Sequence, residues 1–274
     1  IFARDPSTEM VDPARLPQME RDAHFGVRVA ADGPLLVLAE PEAHRVHLFD
    51  GRRPIPILVG DFGERGEGFG LLLRPEGLSL DAEAGLIHVG DLARRRLQQF
   101  LLTWDPDAPT GFVPGRFRFA RSVDLTALGE QLAADGVAGD AAASTVAIEP
   151  ADLLAEPGGG VLVVDSAGDR LVRMDRRLTV QQVFGGRGTE PGRFRRPTAV
   201  ARSADGTRLF VVDADNHRVQ VLDAATGDPL AVWGTRVRPG VPDAADAGFV
   251  DPFGIVVDAE GRVFVSDRGA HRVL

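Results

Sequence analysis

Residues 197–223 read PTAVARSADGTRLFVVDADNHRVQVLD, and this stretch decides the fold. It opens on Pro197, runs through a short apolar segment to the turn Ala204-Asp205-Gly206, rises into the β-branched and aromatic run Leu209 to Val212, and stops on Asp213. Four loop residues lead to Arg218 and a further β run. The same frame returns at residues 252–274 (PFGIVVDAEGRVFVSDRGAHRVL), 150–175 (PADLLAEPGGGVLVVDSAGDRLVRMD), 75–100 (PEGLSLDAEAGLIHVGDLARRRLQQF) and 24–50 (HFGVRVAADGPLLVLAEPEAHRVHLFD). A carboxylate and an arginine stand five residues apart in all five copies: Glu40 and Arg45, Asp91 and Arg96, Asp165 and Arg170, Asp213 and Arg218, Asp267 and Arg272. One such pair would mean nothing, but five at a fixed offset define a repeat, and a repeat fixes the architecture before any local assignment does.

A fourth β run follows where the sequence allows it, at residues 55–60, 116–123, 178–184 and 230–234. Each unit is therefore a four-stranded antiparallel meander. Runs such as Val161 to Val164 and Leu209 to Val212 are apolar on successive residues, which suits strands covered on both faces, as in sheets stacked on sheets. Glycines close the tight hairpins, where positive φ is needed. The fold class is all-β, a propeller of four-stranded antiparallel blades with five repeats visible.

The segment Asp213-Ala-Asp-Asn-His-Arg-Val-Gln-Val, preceded by Gly186-Arg-Gly-Thr-Glu-Pro-Gly-Arg-Phe-Arg-Arg-Pro197, resembles the NHL repeat. The resemblance runs from about residue 24 to the end and implies a six-bladed propeller in the full-length protein. It says little about activity, since propellers of that family serve as interaction platforms, as lyases and as lactonase-like hydrolases. The first copy departs from the pattern, with Glu40 for Asp and His24 for the leading Pro.

Blades are expected at about residues 24–60, 75–123, 150–184, 197–234 and, incomplete, 252–274, behind an N-terminal extension of residues 1–23 that offers at most one short strand, at residues 1–4. Successive repeat arginines lie 51, 74, 48 and 54 residues apart, so the second unit carries an insertion within about residues 104–149. Residues 104–114 read as an extended loop. Leu125, Leu128 and Leu132 fall at helical spacing behind Asp124, which predicts a short capped helix over residues 124–134. The last repeat supplies three strands, so the chain is expected to be part of a longer one, with the rest of the ring beyond Leu274 or in a partner.

All 31 basic residues are arginine, and the net charge of −9 argues against a protein whose task is to neutralise phosphates, so nucleic acid is not expected as a partner. Without cysteine there is neither a disulfide framework nor a thiolate nucleophile. No apolar run approaches the roughly 18 residues of a spanning helix, so no membrane insertion is expected and the chain reads as soluble; the compartment is unknown.

A propeller places equivalent residues of every blade at one radius, so the five carboxylates and five arginines read as hairpin fasteners, not catalysts. Function should reside in residues that differ between copies around the channel rim: His24, Phe25, Glu76, Asp152, Thr198 and Phe253. Glu76 and Asp152 are too few oxygens for a cation site. The leading expectation is a non-enzymatic platform that presents loops to a protein or ligand partner, alone or as a component of a larger assembly, without a cofactor and with the insertion at 104–149 as a candidate contact region. The alternative is a channel-mouth hydrolase or lyase of the lactonase or amidating-lyase kind, dependent on calcium or zinc.

Overall fold

A computed structural model describes residues 28–52, 54–103, 116–134, 147–234 and 248–274. The extension at residues 1–23, His24, Phe25 and the loop at 104–114 lie outside the described residues.

Blade 1 is the meander β1 (Arg28–Asp32), β2 (Leu35–Glu40), β3 (Arg45–Asp50) and β4 (Ile57–Phe62). Blade 2 follows as β5 (Pro75–Asp81), β6 (Leu86–Asp91), β7 (Arg96–Thr103) and β8 (Arg116–Asp124). Blade 3 comprises β9 (Pro150–Glu156), β10 (Gly160–Asp165), β11 (Arg170–Met174) and β12 (Val180–Gly185), and blade 4 comprises β13 (Pro197–Arg202), β14 (Arg208–Asp213), β15 (Arg218–Asp223) and β16 (Pro229–Trp233). Blade 5 has three strands among the described residues, β17 (Pro252–Val257), β18 (Val263–Asp267) and β19 (Arg272–Val273). Every pairing is antiparallel between chain neighbours, and the second and third strands are in a register that sets each repeat carboxylate opposite its arginine, as Asp213 against Arg218.

The first strands pack on one another in chain order, β1 on β5, β5 on β9, β9 on β13 and β13 on β17, which makes them the inner strands around the axis. The apolar core lies between the blades. Leu35, Val37 and Leu48 of blade 1 meet Leu78, Ile87 and Phe100 of blade 2; Leu162 and Val164 of blade 3 meet Leu209 and Val211 of blade 4. Strand β10 is buried along its whole length because both of its faces are covered, which is why its sequence shows no apolar-polar alternation. Blade 5 turns Val256, Phe264 and Val273 to solvent on the side away from blade 4.

The insertion in the second unit forms α1 (Leu125–Ala134). Asp124 caps it, its Oδ1 accepting the backbone N–H of Thr126 at 2.8 Å and of Ala127 at 3.1 Å. Leu125 and Leu132 pack with Leu97 of blade 2 and with Val161, Val163 and Val172 of blade 3, so the helix fills the wedge between these two blades. The other connections fold differently. Residues 63–72 and 185–194 share the pattern Gly-x-x-Gly-x-x-x-Gly, and each closes on itself with a backbone bridge, Arg65 to Leu72 and Arg187 to Phe194. Gly185 stands at φ +96°, and a side chain there would run into the buried ring of Phe194, 2.5 Å from the position of a Cβ.

Candidate functional site

Four of the five repeat carboxylates are fully buried, and each binds the connection that leads into its own blade and faces its arginine within ion-pair distance. Asp213 accepts from Arg218 Nε at 2.7 Å, from the Arg195 N–H at 2.7 Å and from Asn216 Nδ2 at 2.9 Å. Arg218 in turn donates to the carbonyls of Thr189, Glu190 and Arg193 at 2.6, 3.0 and 2.8 Å. Blade 2 repeats the arrangement: Asp91 accepts from Leu73 N–H, Arg74 N–H and Arg96, and Arg96 donates to the carbonyls of Glu67, Gly68 and Leu71. In blade 3 Arg170 Nε lies 2.8 Å from Asp165, which also takes the N–H of Glu149 and Gly168. In blade 5 Asp267 holds the N–H of Val250 and Asp251, with Arg272 Nε at 3.7 Å. Burial pushes the Asp165 and Asp213 carboxyls up, while the facing guanidinium and amide donors pull them down.

The first copy corrects the expected pattern. Glu40 and Arg45 are opposite each other in the register, yet Glu40 binds His47 Nε2 at 3.0 Å and Arg45 pairs with Asp61 on the outer strand. Arg45 and Asp61 are both exposed, at 44% and 37% of the side chain. The longer Glu40 side chain replaces the short Asp that reaches its own loop in the other copies, so this pair does not fasten the hairpin.

A second set of fasteners was not anticipated from the sequence. The residue before each repeat arginine is left-handed: His44 at φ +58°, Arg95 at +46°, Asp169 at +54°, His217 at +54° and His271 at +51°. That conformation costs a non-glycine residue about 1–2 kcal/mol, and three of these residues use it to bind the connection into the next blade. His44 Nδ1 donates to the Leu73 carbonyl at 2.6 Å, His217 Nδ1 donates to the Val250 carbonyl at 2.9 Å, and Asp169 Oδ1 accepts the Arg196 N–H at 2.7 Å. After blade 2, where the connection is the helical insertion, the Arg95 carbonyl accepts the N–H of Leu125, the first residue of α1. Gln98 and Gln220, two residues after their repeat arginines, clamp the glycine-rich connections through Gly70 N–H and Gly192 N–H at 2.9 and 2.8 Å. Blade 3, entered from the insertion, has Val172 at that position. The coincidence of this glutamine with the glycine pattern was a usable sequence signal.

Of the expected rim residues, Glu76, Asp152, Thr198 and Phe253 are described, and they have separate partners. Glu76 is ion-paired to Arg74 at 2.6 Å. Thr198 is buried and its Oγ1 donates to the Phe253 carbonyl at 2.8 Å, joining blade 4 to blade 5, while Arg268 lies over the Phe253 ring at 4.3 Å. Of the four described ones, Asp152 lines the central cavity, and its Oδ2 accepts the Val200 N–H at 3.0 Å. This cavity, of about 690 Å³, is lined by the inner strands of all five blades and opens toward the hairpins that join first and second strands, at the end opposite the repeat loops. Among its charged groups, Asp32 accepts the Ala82 N–H, Asp81 accepts the Ala84 N–H, and Glu156 bridges Arg173 and Arg202, while Glu83 also lines it. Among the described residues no three His, Asp or Glu side chains are grouped to hold a metal ion, and no helix is long and apolar enough to cross a membrane.

The blades form a β-propeller, and part of the chain is similar to NHL repeat proteins. The chain is 34% identical over 87 residues to NHL repeat-containing protein 3 of Homo sapiens and 36% identical over 87 residues to its counterpart in Mus musculus, a match that spans 31% of this chain and 25% of either relative. No protein-family profile matches the chain. Among solved structures, a protein of unknown function from Bacteroides thetaiotaomicron superposes with a TM-score of 0.61 at 14% identity, over 89% of this chain and 57% of the other. Catalytically inactive virginiamycin B lyase from Staphylococcus aureus superposes with a TM-score of 0.52 at 11% identity, over 91% of this chain and 64% of the other. At these identities the likeness shows the fold alone.

Proposed function

We propose that the chain is a non-enzymatic binding platform, a rigid propeller whose rim and outer surface engage a protein partner within an assembly, without a metal cofactor. The observation that supports this reading is where the polar side chains are used. The repeat carboxylates of blades 2 to 5 fasten connections, and Asp32, Asp81, Asp152 and Glu156 at the channel are committed to backbone or arginine partners. A rigid frame loses little entropy when its surface is recruited for binding. The competing reading, a metal-dependent hydrolase or lyase at the channel mouth, requires titratable groups from several blades around one point. Thermal unfolding in millimolar calcium or zinc separates the two, because a specific ion stabilises the folded state by mass action. The expected result is a melting temperature unchanged by either ion; a rise of several degrees with one of them would sink the platform reading.

The same reading takes the functional ring to be six-bladed. Its support is the apolar face of blade 5, where Val256, Phe264 and Val273 are 57%, 38% and 65% exposed. Such a face is a sticky surface until it is covered. Residues 1–274 alone should therefore bind the dye ANS and self-associate as concentration rises, whereas a monodisperse protein with no dye response would show that no further blade is needed.

A further inference from the structure

We propose that the outer edge of blade 2 is a docking edge for an extended segment of a partner protein that alternates apolar and acidic residues and adds to β8 as a fifth strand. The proposal rests on the platform reading and names its surface. Strand β8 spans nine residues, RFRFARSVD, and among the described residues it pairs only with β7, leaving its other edge open. Its side chains divide by chemistry. Phe117 and Phe119 pack toward the core shared with blade 1, while Arg118 and Arg121 are exposed and, among the described residues, take part in no ion pair.

Charged side chains on an edge strand also guard against unwanted pairing, but a guard would not stand beside a displayed aromatic ring. Phe69, 77% exposed, is stacked on Phe119 with ring centroids 5.4 Å apart and planes at 24°. The loop does not require it, since the equivalent connection has Pro191 at this position. The loop is nonetheless held rigid beneath the ring by Arg96 on the carbonyls of Glu67 and Gly68 and by Gln98 on Gly70. An exposed aromatic on a preorganised loop is a typical binding anchor, because little freedom remains to be lost. The register with β7 shifts at Ala120, which puts Arg121 on the face of Arg118, and a strand added to β8 would alternate its side chains between the two faces of the blade. One set would meet Phe69 and the phenylalanines, and the other would meet Arg118 and Arg121. Against a chain of net charge −9, these two arginines form a local cationic island that sets the register of an acidic partner.

The test uses the whole chain and a fluorescein-labelled peptide of eight residues alternating valine and glutamate with one central phenylalanine, read by anisotropy. Saturable binding is expected, weakened about tenfold by Phe69→Ala and at least as much by Arg118→Glu with Arg121→Glu, which corresponds to loss of an anchor. A peptide with proline at its centre, unable to donate to a ladder, should not bind, and hydrogen exchange should show new protection confined to β8. All three substituted side chains are exposed or half-exposed, so the variants are expected to fold, as circular dichroism would verify. Absence of binding, equal binding of the proline peptide, or indifference to both variants overturns the docking edge. Those outcomes leave the platform reading standing, which falls instead on metal-dependent stabilisation.

Discussion

Arg218→Ala is expected to cost about 3–5 kcal/mol of unfolding free energy in urea or guanidinium titration, whereas Arg45→Ala at the same position of the repeat should cost under about 1 kcal/mol. The two arginines occupy one register, opposite the carboxylate that ends the second strand. Their surroundings differ. Arg218 is 8% exposed, and its loss would leave the fully buried Asp213 short of its cation and strip a donor from the carbonyls of Thr189, Glu190 and Arg193. A group left unsatisfied in the interior costs its full desolvation, which makes breaking such a pair far more expensive than the net value of having it. Arg45 and Asp61 face water at the blade edge, where a single ion pair contributes little. The cost of Arg218→Ala should shrink under acid conditions, because burial already favours the neutral Asp213 carboxyl. Equal destabilisation by the two variants would mean that the arginine acts through its place in the repeat and not through burial.

This contrast shows what could be read in advance. The blade order, the hairpin register and the position of the capped helix were legible, because each depends on a periodic signal or on a local one: a fixed offset of five, or leucines at helical spacing after Asp124. The asymmetry of the first copy was legible only as a departure, Glu40 for Asp; its consequence depended on Asp61 and His47, which reach the hairpin only in three dimensions. The fasteners at His44, Asp169 and His217 escaped because the side chains differ while the backbone conformation is common to all of them. Histidine and aspartate there share no motif; one donates to a carbonyl and the other accepts from an N–H, yet both span the same gap between blades. The sequence places the candidate rim among residues that differ between copies, at the entries to the inner strands. Pro34, Glu83 and Gly158, in hairpins between first and second strands, line the cavity.

A second large effect is expected from pH. His88 on β6 is fully buried between blades 2 and 3, its Nδ1 at 3.1 Å from Ser79 Oγ and its Nε2 at 3.0 Å from Gln99 Nε2. Gln99 Nε2 also donates to the Arg176 carbonyl at 3.1 Å, so the amide must present its NH₂ group there, and its second hydrogen points at His88. His88 Nε2 is therefore the acceptor, and the ring is neutral with its proton on Nδ1, donating to Ser79. Protonating Nε2 would set two N–H groups against each other in a site without water-like screening, and burial lowers the His88 pKa from 6.5 to about 4. With a folded pKa below the unfolded one, the unfolded chain binds more protons between these values, so stability is complete above pH 6.5 and is lost as pH falls toward 4. The loss from this one group should reach about 2 kcal/mol between pH 7 and pH 5 and about 3 kcal/mol by pH 4. Exposed carboxylates add their own slope in this range, so the measurement is a difference: urea titrations of the wild type and of His88→Gln at pH 7, 6 and 5. The glutamine keeps one acceptor and one donor for Gln99 and Ser79 but has no proton to gain, and its stability should be flatter across the interval by about 2 kcal/mol. Parallel profiles would show that His88 opens to solvent or finds another partner when protonated, and that the seam between blades 2 and 3 is looser than its hydrogen bonds indicate.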